Sequence, residues 1–285
     1  MSKVGIVTDS MHCLPAEFIR QYDIRVAPVT LVINGKAYRD QVDITASQFY
    51  ALQKDLKNTV SSSGVPPGTF VDLLKETAKT YDKILCLVHS SSLGVTHSAL
   101  MQAREMVIGE LAGVTIEVVD TRTAAGAQGL IVLEAARAAE AGKDISEVAQ
   151  AAQAIVPRAK WIMALETLKH LIKGGRAPRF AGTMANLIQM KPIIGMMNST
   201  GTVDFSDRVR TSPKAMIRLV EITKRHIASG NKAHVIVHYA DDIRKGENLK
   251  AMVAAELPCE ELYLSEITPV VCCHTGPMVG LSFYS

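Results

Sequence analysis

Residues 83–99, KILCLVHSSSLGVTHSA, carry the pattern that decides the fold. Residues 84–88 are continuously apolar, which is typical of a strand buried on both faces. A serine turn, residues 90–92, follows, and a helix is predicted to begin near Thr96. A helix N-terminus leaves backbone N–H groups unpaired and suits a carboxylate or a phosphate. Because the turn lacks the lysine and glycine spacing of a nucleotide P-loop, the pattern predicts binding of an acidic group rather than phosphoryl chemistry.

The rest of the N-terminal half alternates predicted strands with predicted helices. Such alternation is typical of a mainly parallel sheet with helices on both faces. The predicted strands are 3–8, 24–33, 83–88 and 114–120, and the predicted helices are 16–22, 45–56, 69–81 and 123–141.

The C-terminal half begins after a predicted helix at 146–155. Pro157 interrupts the pattern, so we expect two α/β domains: a parallel N-terminal domain at 1–157 and a smaller α/β domain at 158–285. In the second domain the sequence predicts strands at 160–164, 233–239 and 260–267, helices ending at 173 and spanning 181–189, 213–229 and 243–256, and a hairpin at 192–210.

Composition excludes several classes of protein. The 285 residues carry 31 basic and 28 acidic side chains, a net charge of +3 with no basic stripe, so binding to nucleic acid is not expected. No apolar run approaches the ~20 residues of a membrane span, and no signal peptide is evident, so we expect a cytoplasmic protein. The five cysteines show no repeated CxxC spacing and indicate neither a disulfide framework nor a metal site.

Several polar residues follow predicted strands, where open α/β sheets bind ligands. Asp9 and Ser10 follow the first strand, although a helix-capping role is an alternative. Ser62 and Ser63 precede the proline-containing segment 64–68, although taken alone this cluster is typical of a surface turn.

Two further motifs carry candidate binding groups. Arg176 follows two glycines that end a predicted helix, and its planar guanidinium suits a carboxylate, although most arginines are solvated. His274 lies in HTGP, residues 274–277, and its ring N–H could bind a carboxylate; a structural hydrogen bond is the alternative. We interpret His89 as a packing or rim residue.

Taken together, these motifs resemble the DegV family, the fatty-acid-binding proteins that serve bacterial fatty acid kinase. No single motif is as specific as their order. The ordered set is TDS at 8–10, the serine-proline loop at 61–67, SSSLG at 90–94, VVD at 118–120, LKHLIKGGR at 168–176, MKPII at 190–194, DRVRT at 207–211 and HTGP at 274–277.

The resemblance implies a lipid-binding protein without catalysis, cofactor or metal of its own. One long-chain fatty acid would lie in a tunnel, and a separate fatty acid kinase subunit would convert its carboxylate to acyl phosphate for phospholipid synthesis. Ligand exchange would involve transient contact with a membrane surface. By resemblance, the carboxylate-binding residues are Ser62, Ser91 and His274 with Ser90, Ser63 and Thr275, and the supporting residues are Arg176, Asp9 and Ser10.

Burying a chain of ~16 carbons contributes roughly 12 kcal/mol gross, at about 0.8 kcal/mol per methylene. The tail would therefore supply the affinity, and the head group would fix the position of the ligand. Ordinary core packing is the alternative role for the aliphatic candidates. The predicted tunnel residues are Leu187, Ile188, Met190, Ile193, Ile194, Met196 and Met197.

Two alternative functions remain open from the sequence. The first is a hydrolase of an acyl or phosphate ester, with Ser91 as nucleophile and His274 as base. The glycine-flanked elbow of a serine hydrolase is absent, which disfavours it. The second is a regulatory or kinase-docking module whose lipid is structural.

Overall fold

A computed structural model describes residues 4–54, 58–175, 190–198 and 200–285. Within these residues the chain forms three sheets flanked by helices, and the predicted α/β class is confirmed. The strands are β1 (Val4–Asp9), β2 (Arg25–Ala27), β3 (Thr30–Ile33), β4 (Lys36–Arg39), β5 (Val60–Ser63), β6 (Lys83–Val88), β7 (Thr115–Asp120), β8 (Lys160–Leu165), β9 (Lys191–Met196), β10 (Asp204–Val209), β11 (Ala233–Tyr239), β12 (Cys259–Glu266) and β13 (Met278–Tyr284).

Helices cover these sheets, and a short 3-10 helix, Ser10–His12, follows β1. No described helix is both long enough and apolar enough to cross a membrane. The α-helices are α1 (Ala16–Gln21), α2 (Ala46–Lys54), α3 (Pro67–Ala78), α4 (Thr96–Val107), α5 (Ala125–Glu140), α6 (Ile145–Ile155), α7 (Lys169–Lys173), α8 (Ser212–His226), α9 (Ile243–Glu256) and α10 (Pro269–Thr275).

The first sheet is parallel, with strand order β2-β1-β6-β7. Its central strand β6 is the apolar run of the sequence, and residues 84–88 are fully buried. Helices α3 and α4 pack together, as do α5 and α6, and both pairs contact the sheet. The parallel N-terminal sheet predicted from alternation is therefore present, while the domain division at residue 157 stays a prediction.

A second, antiparallel sheet has the order β4-β3-β5, and it corrects two sequence predictions. The single strand predicted at 24–33 is two strands in two different sheets, because Pro28 lacks an N–H and cannot join a ladder. The serine triplet 61–63, interpreted as a turn, lies in β5, where Leu31 of β3 pairs with Ser62. Side chains alternate along β5, so Ser62 is half-buried while its neighbours are exposed.

The third sheet has the order β10-β9-β8-β13-β11-β12. The hairpin predicted at 192–210 is present as antiparallel β9 and β10. The C-terminal segment, to which the sequence assigned no element, forms α10 and β13. Strand β13 pairs with β8 on one side and β11 on the other, and it is buried along its whole length.

Helix α5 is buried along most of its length. It contacts β1 of the parallel sheet and β13 of the six-stranded sheet. A Cβ added at Gly126 would collide with the ring of His238, and one added at Gly129 would collide with the carbonyl oxygen of His12. The glycine and alanine content of this helix is therefore what allows both sheets to approach it closely.

Asp40 is a buried carboxyl group at the start of α10. Its Oδ1 accepts a hydrogen bond of 3.2 Å from the backbone N–H of Val270. Burial raises the pKa of Asp40 to about 7, against the lowering effect of Ser10 and the Val270 N–H. Since the folded state favours the protonated form, the native protein holds the extra proton between pH ~4 and 7, and stability falls as pH rises through that range.

The Asp40→Asn variant is therefore expected to be more stable than the parent at pH 8, by about 1–3 kcal/mol, because it removes the cost of a buried charge. The advantage should shrink as pH falls towards 5. Urea unfolding at both pH values measures it. An advantage of the same size at both pH values would contradict the assignment.

Candidate functional site

A cavity of about 640 Å³ is lined by residues of β5, β8, α4 and α10 and by the segments that follow β1 and β6. This volume is within the roughly 300–1,000 Å³ typical of small-molecule sites. Most of its wall is apolar, with a smaller polar set. The apolar lining includes Met11, Val29, Val65, Leu93, Ala99, Ala124, Trp161, Met163, Leu171, Val203, Val270 and Val271, and the polar lining includes Ser62, Ser63, His89, Thr96, Ser98, Gln102, His274 and Thr275.

The cavity opens to solvent along α4. Val95, which precedes this helix, is 63% exposed, and Ser98 and Gln102 are also exposed. The interior wall is formed instead by buried residues of β8 and α10, such as Met163 and Val270. An occupant would therefore have one end near solvent and the other against the apolar interior.

Ser62 and His274 form a polar pair in this wall. Ser62 Oγ and His274 Nε2 share a hydrogen bond of 2.8 Å, in which the ring tautomer decides the donor. The two residues are 212 positions apart, and β5 and α10 bring them together. His274 is only 8% exposed. A hydroxyl and an imidazole beside an apolar cavity can together donate hydrogen bonds to a carboxylate.

Two glycines near His274 leave space for the rings of His170 and His274. Gly276 ends α10 with φ +66°, a conformation that favours glycine, and a Cβ there would meet the ring of His170. At Gly174 the backbone has φ −74°, which any residue can adopt, but a Cβ would lie 2.5 Å from His274 Nδ1. The position of the His274 ring therefore depends on the missing side chain at Gly174.

The Gly174→Ala variant is expected to weaken ligand binding about tenfold while the protein stays folded, because the added methyl group displaces the imidazole from Ser62. Palmitate belongs to the ligand class that the family resemblance implies, and its titration monitored by Trp161 fluorescence measures the effect, since this single tryptophan lines the cavity. The matched control is Gly68→Ala, where an added Cβ meets nothing within 4 Å. Equal affinities for the two variants would disprove the steric argument.

The serine turn makes its hydrogen bonds away from the cavity. Ser91 Oγ donates to Asp120 Oδ2 at 2.6 Å, and Ser90 Oγ donates to the carbonyl oxygen of Gly201 at 2.8 Å. Neither serine belongs to the cavity lining. These hydrogen bonds link the end of β6 to the end of β7 and to the β9–β10 connection. The carboxylate-binding role expected for Ser90 and Ser91 stays a prediction.

Asp9 and Ser10 accept hydrogen bonds from the backbone of the cavity-lining residues Met11, His89 and Val29. Asp9 Oδ1 accepts from the Met11 N–H at 2.9 Å and Oδ2 from the His89 N–H at 2.8 Å. Burial alone would raise the pKa of Asp9, but the charge and hydrogen bonds of His89 and the Met11 N–H hold it below its usual value. Ser10 Oγ accepts from the Val29 N–H at 3.1 Å.

The other predicted site residues fall into three groups. Ser63 and Thr275 line the cavity, although the Thr275 hydroxyl donates to the carbonyl oxygen of Val271. Arg176, Leu187 and Ile188 lie outside the described residues. The remaining tunnel candidates, which the structure places on or beside β9 rather than in the cavity lining, are Met190, Ile193, Ile194, Met196 and Met197.

Sequence reasoning missed much of the apolar wall. Trp161 and Met163 lie on β8, and Val270 and Val271 on α10. Their apolar character was visible, but it does not distinguish a cavity wall from core. The apolar run directly before His274 was the available signal for α10.

One cluster could in principle hold a metal ion. Among the described residues, ligand atoms of Glu134, His234 and Glu261 lie within 4.8 Å of one another. Arg137 pairs with both carboxylates, at 2.7 Å from Glu134 and 3.0 Å from Glu261. The guanidinium therefore already supplies the positive charge there.

Comparison with known proteins agrees with this architecture. A family model described as "Uncharacterised protein, DegV family" matches residues 3–285. A DegV domain-containing protein of Caldanaerobacter subterraneus subsp. tengcongensis is 29% identical over 284 residues, covering 100% of this chain and 99% of the relative. Another, from Clostridium acetobutylicum, is 31% identical and covers 85% of each chain.

Solved structures are similar over the whole chain. A DegV family protein from Thermus thermophilus, described as fatty acid binding, has a TM-score of 0.89 at 26% identity, covering 99% of both chains. A DegV lipid binding protein from Thermotoga maritima has a TM-score of 0.88 at 26% identity, covering 99% of this chain and 98% of that one.

Fold and site together define an α/β protein with a deep apolar cavity and a serine–histidine pair in its wall. The chain belongs to the DegV family, whose model spans nearly all of it.

Proposed function

We propose that this protein binds one long-chain fatty acid in the cavity and presents the carboxylate to a separate fatty acid kinase, which forms the acyl phosphate. The single observation that carries the proposal is the Ser62–His274 pair, joined at 2.8 Å in the wall of an otherwise mainly apolar cavity of about 640 Å³. Two relatives at 26% identity are described as fatty acid binding and lipid binding, which supports the same class of ligand.

The cavity chemistry suits an acid with a long tail. A carboxylate removed from water needs hydrogen-bond donors, and each charge-assisted bond contributes ~1.5–3 kcal/mol. Ser62 and His274 supply such donors. The apolar wall contributes about 0.8 kcal/mol for each methylene that it buries. Thus the pair positions the head group while the tail provides affinity.

The exposed position of the cavity mouth supports exchange and transfer. Val95 is 63% exposed beside the opening, so an apolar side chain is available to a membrane surface during ligand exchange. In this proposal the protein works in the cytoplasm in phospholipid synthesis and contributes binding rather than catalysis.

The hydrolase alternative lacks the contacts it needs. It required Ser91 as nucleophile and His274 as base, but Ser91 Oγ donates to Asp120 and His274 Nε2 faces Ser62. Ser91 Oγ and His274 Nε2 are each hydrogen-bonded to another residue, whereas a catalytic nucleophile and its base must be hydrogen-bonded to each other.

Two measurements test the proposal. Mass spectrometry of organic extracts from the purified protein should identify a co-purified fatty acid, and added palmitate should change Trp161 fluorescence saturably. Acyl phosphate should form only when this protein, a fatty acid kinase and ATP are combined. Failure to extract or take up any fatty acid would reject binding; uptake without acyl phosphate formation would reject only the presentation step.

A further inference from the structure

His89 is a buried histidine whose ring forms part of the cavity wall, and the head-group pair does not use it. It follows β6 directly and is 4% exposed. Its Nδ1 lies 3.0 Å from Asp9 Oδ2, and its backbone N–H donates to the same oxygen. Asp9 therefore holds the main chain of His89 by a hydrogen bond, and its carboxylate lies beside the ring nitrogen Nδ1.

The contact with Asp9 determines how the other ring nitrogen can act. A carboxylate beside Nδ1 selects the ring forms that carry a proton there. The neutral ring then offers a lone pair at Nε2, and the charged ring offers an N–H. Among the described residues, no group forms a hydrogen bond with Nε2; a Cβ built on Gly94, a lining residue, would lie 3.7 Å from it.

The cavity that His89 lines is mainly apolar. Met11, Leu93, Ala124 and Val203 belong to the same cavity wall and are apolar. A plain hydrocarbon chain lying there would cover Nε2 with methylenes and leave a buried polar atom without a partner, which weakens binding. A chain that carries an oxygen at this point would avoid that loss.

We propose that Nε2 of His89 binds a hydroxyl group on the hydrocarbon chain of the ligand, so that the cavity selects hydroxylated long-chain fatty acids over plain ones. The proposal rests on the proposed function, in which the cavity holds a fatty acid. It assigns to His89 a second polar contact, separate from the carboxylate contact of the Ser62–His274 pair.

A hydroxyl group fits this position better than other oxygen functions do. It donates to Nε2 of the neutral ring and accepts from Nε2–H of the charged ring, so both forms can bind it. A keto or ether oxygen could only accept. A second carboxylate would bring another negative charge towards the buried Asp9, which disfavours it.

The test compares stearate with a series of hydroxystearates that carry the hydroxyl at different positions from carbon 2 to carbon 12. Isothermal titration calorimetry with the full-length protein gives each affinity. At least one isomer should bind about tenfold tighter than stearate, which corresponds to about 1.4 kcal/mol for the added hydrogen bond. In His89→Phe the ratio of the two affinities should fall to about one.

A second variant keeps the test informative if His89→Phe does not fold, because that change removes the ring nitrogen beside the buried Asp9 carboxylate. The double variant Asp9→Asn/His89→Phe removes the buried charge as well, and it should show the same loss of preference. If stearate binds and no hydroxystearate binds more tightly, or if the preference persists in the variants, the His89 proposal is wrong. If neither stearate nor any hydroxystearate binds, the proposed function fails with it.

Discussion

Replacing His274 with leucine is expected to weaken palmitate binding by about 10- to 100-fold. When Nε2–H donates to Ser62 Oγ, the Ser62 hydroxyl proton is left for the head group, and a charge-assisted bond contributes ~1.5–3 kcal/mol. Leucine is similar in size, so the 8% exposed site remains filled. Titration of Trp161 fluorescence measures the affinity, and urea unfolding confirms that the variant is folded.

Serine variants on β5 provide the controls. Ser62→Ala should lower the affinity for palmitate too. The double variant Ser62→Ala/His274→Leu should lose less binding free energy than the sum of the two single losses, because the two side chains act as one unit. Ser61→Ala is the matched control, since Ser61 is the exposed neighbour on the same strand and lies outside the cavity lining. A His274→Leu affinity within twofold of the parent would remove the head-group assignment.

Replacing Ala99 with tryptophan is expected to abolish tight binding of long chains while short chains still bind. Ala99 lines the cavity from α4 and is 5% exposed, so an indole there would occupy space that the acyl chain needs. Excluding about four methylenes costs roughly 3 kcal/mol, which is more than 100-fold in affinity. Calorimetry with palmitate and octanoate should be used, because a second tryptophan complicates fluorescence.

The control for this change is Glu105→Trp on the same helix. Glu105 is exposed and does not line the cavity, so the variant adds the same side chain without blocking anything. Palmitate should bind it like the parent. If folded Ala99→Trp still binds palmitate with parental affinity, the acyl chain does not lie in this cavity.

Local patterns in the sequence predicted much of the fold. The continuous apolar run of β6, the 3.6-residue period of α3 and the bounds of β11 and α9 all follow from short-range rules. The errors arise where the structure depends on pairing between residues that are distant in sequence. Strand β5 consists of a valine and three serines, and its strand conformation depends on pairing with β3, which is distant in sequence.

The candidate site depends even more on contacts between residues that are distant in sequence. His274 was identified by resemblance, but its contact with Ser62 depends on how α10 packs against β5. The choice of Asp120 as the partner of Ser91, 29 residues away, follows from the adjacent ends of β6 and β7. The His89 contact with Asp9 likewise depends on neighbouring strand ends, and nothing in the local sequence indicates it.

Two glycines outside the cavity lining affect how closely the elements around α5 can pack. Helix α5 begins immediately after the lining residue Ala124 and keeps the parallel and six-stranded sheets at a fixed separation. Gly126 and Gly129 set that separation, because larger residues would force His238 and the His12 backbone away. A single methyl group added at either glycine would therefore push these elements apart, although neither glycine lines the cavity.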